Sequence, residues 1–144
     1  MKFIQKFIVV LSLLFFVSVV VVFLSGHFGF SSWGPRLYCA VPDFDFCQLA
    51  DRDTFEHEFI IENIGYKPLL IQRVKPACGS CITILDYSKG PILPNQQGFV
   101  HVKMDASKLS GKIEKQILIQ TNDAKHSIHL FHLLGRVIAT AFVF

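Results

Sequence analysis

From Phe7 to Leu24 the chain carries no charged residue, and only Ser12 and Ser18 interrupt a run of Ile, Val, Leu and Phe. At about 1.5 Å rise per residue, a helix through this run and its flanks spans a hydrocarbon layer of roughly 30 Å. Lys2 and Lys6 stand on one side of it. The positive-inside rule therefore holds the N-terminus in the cytoplasm and sends everything beyond about Gly26 across. A cleaved signal peptide is the rival reading. It wants a shorter apolar stretch ending in small residues, whereas the exit here reads Val22 Phe23 Leu24 Ser25 Gly26 His27. His27 also stands where a lipoprotein signal would place its cysteine. Residues 1–26 are thus read as a retained anchor. Residues 27–40 follow as a linker, with Phe28, Phe30 and Trp33 among Gly and Ser suited to a membrane interface.

Of 14 basic residues two precede the run, leaving 12 against 11 acidic ones in the remainder. So even a balance gives no electrostatic footing for nucleic acid, which needs a clustered basic face. After Pro35 the pattern changes to short alternating segments punctuated by Gly, Pro, Asn and Asp, and period two means strands. Phe55, Phe59 and Ile61 fall on one face of such a segment, with Glu56, Glu58 and Glu62 on the other. Leu69 to Val74, Phe99 to Met104 and the segment opened by Gly111 read the same way. Val100, Val102, Ile117 and Ile119 join Leu69 and Ile71 as expected core. Short strands at Asp43 to Phe46 and near Ile82 to Leu85, and a final stretch from Ser127 to Phe144 long enough for one bent strand or two, with Gly135 as a bulge or bend, bring the count to about seven. No amphipathic helix interrupts them. Residues 41–144 are expected to form an all-β, immunoglobulin-like antiparallel sandwich.

The order of these signals resembles a bacterial family catalogued as domain of unknown function 1573, exported domains related to Hydin-like immunoglobulin-type sandwiches. Its carriers here are Phe44 Asp45 Phe46, then Phe59 to Gly65, Pro68 to Ile71 and Val74, the cysteine region at Cys78, Ile92 Leu93 Pro94, Gly111, Thr121 Asn122 Asp123, and Leu134 to Val137. The resemblance implies the sandwich fold and export, and brings no activity. Two positions depart from it. Cys47 stands where the family has Gly, and the family's Cys-Gly-Cys-Thr becomes Cys78 Gly79 Ser80 Cys81 Ile82 Thr83. A bacterial source would place the chain as a single-pass protein of the inner membrane, with its domain periplasmic or extracellular.

Cys78 and Cys81 can form a structural disulfide, cycle between dithiol and disulfide, or give two thiolates to a soft metal such as copper. Against redox use, the Ile82 Thr83 Ile84 Leu85 run that follows favours a strand, whereas a thioredoxin-type pair opens a helix. Cys39 and Cys47 are candidates for a second pair. Cys47 could instead approach Cys78 or Cys81. His126, His129 and His132 would converge on a helix, but on a strand His129 points away from the other two. Asp43, Asp45, Asp51 and Asp53 lack calcium-loop spacing, because Gln48 occupies the place of the loop glycine. No nucleophile elbow, zinc-protease pair or phosphate loop is present. The reading that follows is a non-catalytic, membrane-anchored module that contacts an unidentified protein and needs no cofactor. A thiol redox or copper-handling protein using Cys78 and Cys81 is the alternative.

Overall fold

The computed structural model describes residues 2–27 and 33–140. They fall into two units, a helix and a sandwich that begins at Trp33. Helix α1 (Lys2–His27) contains the whole uncharged run. Its described side chains from Leu11 to Val21 are exposed, and the stretch Ile4–Val21 is long and apolar enough to cross a membrane. The Ser18 hydroxyl donates to the Phe15 carbonyl at 3.0 Å, so the helix itself satisfies that polar group. Phe28 and Phe30, the interfacial residues expected after it, lie outside the described residues, as does the end of the chain from residue 141.

Among the described residues the sandwich holds eight strands: β1 (Leu37–Tyr38), β2 (Asp43–Ala50), β3 (Thr54–Asn63), β4 (Ile71–Pro76), β5 (Ile82–Tyr87), β6 (Gln97–Asp105), β7 (Gly111–Thr121) and β8 (Ile128–Ile138). One four-stranded sheet runs β1-β3-β6-β5 and the other β2-β8-β7-β4. Alternation decides which face is buried. Phe59, Ile61, Val100, Val102, Ile117 and Ile119 are all sealed between the sheets. Leu69 and Ile71 are buried with them, and Phe55 packs half-buried against the same core. Phe59 meets Phe131 across the interior with ring centroids 5.0 Å apart.

Four details differ from the sequence expectation. β2 pairs with β8 in parallel, so the second sheet is mixed rather than antiparallel. Periodicity shows which face of a strand is buried but carries nothing about its partner or direction. β2 is also longer than Asp43 to Phe46. A bulge between Asp45 and Gln48 resets its alternation, so that Leu49 rather than Gln48 continues the inward face begun by Phe44 and Phe46. Leu69 sits outside β4 and makes an isolated bridge to Ile92. Finally, Leu37 and Tyr38, expected in the linker, form a strand against β3. Gly135, expected as a bulge or bend, lies within β8 in unbroken register with β7, at φ 154°, where a β-carbon would come within 2.5 Å of the Phe46 ring.

Candidate functional site

Where β1 ends, the chain leaves the first sheet and crosses to β2 in the second. Residues 39–41 of that crossing, Phe44 of β2 and residues 57–60 of β3 enclose a cleft of about 330 Å³ between the sheet edges. Its walls are apolar in character for local reasons. The imidazole of His57 stacks on Phe44 with centroids 3.6 Å apart and meets Phe59 edge-on at 4.6 Å. Burial lowers the pKa of His57, opposed by the carboxylate of Glu58, so the ring is neutral at pH 7 and behaves as an aromatic wall. The Cys39 thiol is raised by burial, partly offset by a backbone hydrogen bond at Val41. It is therefore a protonated, weakly nucleophilic group rather than a thiolate.

Beside the cleft lies a strip of exposed apolar side chains. Tyr38 stands opposite Glu62 in the β1–β3 register, which makes Ile60 its diagonal neighbour. Ile64 follows β3, and its N–H donates to the Arg36 carbonyl at 2.9 Å. Trp33 and Tyr66 pack ring to ring at 5.8 Å, both more than half exposed. Two buried polar residues hold this end of the molecule in place. The Asn63 side chain accepts from the N–H groups of Arg36 and Gly65 and donates to the carbonyls of Lys67 and Ile92. The Asp123 carboxylate accepts from Leu37 N at 2.7 Å and from the N–H groups of Lys125 and His126. Burial raises the pKa of Asp123, but these N–H groups and nearby His129 outweigh it and hold the carboxyl below the usual range. Both residues read as turn formers in the sequence, whereas the strip has no local signature because its members come from separate segments of the chain.

The cysteines separate. Cys78 and Cys81 form a disulfide with Cα atoms 5.6 Å apart, closing the turn between β4 of one sheet and β5 of the other. Cys81 is buried in the core and leads straight into β5, so no helix N-terminus is there to stabilise a thiolate. Cys39 and Cys47 do not pair with each other or with Cys78 or Cys81. The first is half-buried at the cleft, while the second is exposed in the β2 bulge at φ 61°, where Asp45 accepts its N–H at 2.7 Å. That left-handed backbone accounts for glycine at this position in the resembling pattern.

The histidines go to different partners. His129 Nε2 lies 3.5 Å from Asp123, and burial lowers its pKa despite that carboxylate. His132 Nδ1 lies 2.6 Å from Asp43. His126 is exposed in the loop before β8. The acidic residues of the early strands are likewise engaged separately, Asp43 with His132, Asp45 with the bulge and Asp51 with Thr140. Among the described residues no three of these side chains are gathered to hold a metal ion.

Comparison with known proteins places the fold. No curated protein matches the chain. Among solved structures, a protein of unknown function from Porphyromonas gingivalis W83 superposes with a TM-score of 0.64 at 18% identity, over 74% of this chain and 48% of that one. The secreted serine protease VesC from Vibrio cholerae gives 0.59 at 11% identity over 76% of this chain and 24% of its own. An ASH/PapD-like domain of human CEP192 gives 0.54 at 14% identity, over 77% of this chain and 89% of that domain. The chain thus spans about half of the Porphyromonas protein and about a quarter of the protease, and what it shares with all three is the sandwich. Residues 38–136 match the family described as protein of unknown function DUF1573. With the match running from the end of β1 into β8, the chain belongs to the DUF1573 family.

Proposed function

We propose that this protein is a non-catalytic, membrane-tethered module of the bacterial envelope, held by α1 with its sandwich outside the cytoplasm, that works by binding another protein. The observation that carries this reading is the strip of exposed Trp33, Tyr38, Ile60, Ile64 and Tyr66 along one edge of the sandwich. Five large apolar side chains exposed at one edge of a domain are costly in water and are what a protein partner covers. The cleft chemistry agrees with it, because a neutral thiol and a neutral stacked imidazole offer apolar surface rather than an activated nucleophile.

The test places a photoreactive residue at Tyr38 or Tyr66 in the full-length protein in native membranes, with Lys112 on the other sheet as control. Discrete adducts from the two tyrosine positions and none from Lys112 are expected. They should weaken when Ile60 is changed to Ser and persist when Cys78 and Cys81 are both Ser. Adducts equal at all three positions, or lost with the cysteines alone, would refute the reading.

A further inference from the structure

β1 covers β3 at two residues, pairing Leu37 with Asn63 and Tyr38 with Glu62. Beyond them, among the described residues, β3 is paired in its sheet on the β6 side alone. Alternation identifies the backbone groups left facing outward. Asn63 directs both of its groups at the β6 side, its N–H donating to Gln96 O at 3.0 Å and its carbonyl accepting from Asn95 N at 2.8 Å, while the N–H of Ile64 turns to Arg36 on the β1 side. At the other end the Asp53 carbonyl accepts from Ala106 N at 3.0 Å, again an odd-numbered residue facing β6. In an antiparallel ladder this direction alternates at every residue. The amides and carbonyls of Glu56, Glu58 and Ile60 therefore point away from β6, along the cleft.

The other edges of the two sheets are interrupted. β2 bulges between Asp45 and Gln48, β5 shifts register between Ile84 and Asp86, and β4 shifts between Ile71 and Arg73 and ends on Pro76. Bulges and proline are the devices that stop an edge from recruiting another strand. β3 carries neither, and its register with β6 runs through nine consecutive pairs without a shift.

We infer that the open edge of β3 accepts an extended segment of a partner protein as an added strand, one whose side chains alternate between apolar and basic. This deepens the protein-contact reading above and rests on it. Side chains on alternate positions of an added strand face opposite ways. One set points at the cleft walled by Phe44, His57 and Phe59 and is apolar. The other set lies beside Glu56 and Glu58 on the outer face of β3, where Lys or Arg is favoured. Glu56 already holds the Lys103 ammonium of β6 at 3.7 Å, so a cation is accommodated on that face. A second copy of the chain is the wrong occupant, because antiparallel β3–β3 pairing sets these carboxylates against their own kind.

The probe is a capped peptide of about ten residues alternating Lys and Val, long enough for an ordinary strand, added to the full-length protein in neutral detergent micelles. Saturable binding is expected, with new hydrogen-exchange protection at the Glu56, Glu58 and Ile60 amides and none along β5. Placing Pro at the centre of the peptide should weaken binding about tenfold or more. Glu58→Pro, which removes an outward-facing N–H while leaving the β6 pairing, should do the same, and Glu56→Lys with Glu58→Lys should shift preference to a Glu–Val peptide. The exchange measurement uses the unaltered protein, so it stands even if a variant fails to fold. Protection appearing elsewhere, or equal binding of the proline-interrupted peptide, would overturn strand addition. No peptide binding together with intact photo-adducts at Tyr38 would also overturn it while sparing the broader reading. Loss of both would refute the two together.

Discussion

Asn63 closes β3 with both ends of its side-chain amide engaged, two backbone N–H groups on its oxygen and two carbonyls on its nitrogen. Asn63→Ala strands these groups in a buried setting and should cost about 3 kcal/mol by chemical denaturation. Glu58→Ala, on the solvent face of the same strand, should stay within about 0.5 kcal/mol. Cys47 presents the reverse case, a side chain on left-handed backbone that glycine adopts more easily. Cys47→Gly should leave stability unchanged or raise it by up to about 1 kcal/mol. Acid sensitivity also resides in single residues. Burial lowers the pKa of His57 and His129 in the fold, so the unfolded chain takes up protons first. Their effect is absent above pH about 6.5 and becomes destabilising as pH falls through that value. Asp123, held low in the fold, stabilises it above the ordinary carboxylate range and loses that contribution as pH falls below about 4. His57→Phe and His129→Gln should each reduce the drop in melting temperature between pH 8 and pH 5.5, and an undiminished drop would contradict the assignment.

At the scale of the elements, the Cys78–Cys81 bridge spans a sequence separation of 3 and so removes little freedom from the unfolded chain. Replacing both cysteines by Ser should cost less than about 2 kcal/mol, below the usual worth of long-range bridges. By contrast Phe59→Ala empties the centre of the core and should cost about 3 to 5 kcal/mol. Denaturation of the two variants side by side checks the ranking. The same contrast explains what could be read from the sequence. Phe59, Ile61, Val100 and Val102 announce their burial because the signal, alternation with charged neighbours, is local. The turn joining Cys78 to Cys81 is local too. The parallel match of β2 to β8, the cover of β3 by only Leu37 and Tyr38, and the separation of Cys39 from Cys47 are long-range facts. Nothing in the neighbourhood of those residues encodes them. The cleft and its open edge belong to this second group, so the Cys78–Cys81 spacing is legible in the sequence and the edge is not.

For the whole molecule, the proposed topology has Lys2 and Lys6 hold the N-terminus in the cytoplasm and the sandwich outside it. Reporter domains fused after Arg36 should be active only outside the cytoplasm, and the protein should resist carbonate extraction. A mature N-terminus near Gly26 would instead show that α1 is removed. The pairing of β2 with β8 bears on how such a chain completes itself. β8 lies between β2 and β7 in its sheet, so the first long strand of the sandwich finds its hydrogen-bonding neighbour only when β8 is in place. Phe44 and Phe46 can pack on Phe55 and His57 as soon as β3 has formed, but the backbone of β2 must wait for β8. Closure of the second sheet is therefore a slow, non-local step, and it leaves a window in which chaperones and proteases meet an unfinished edge.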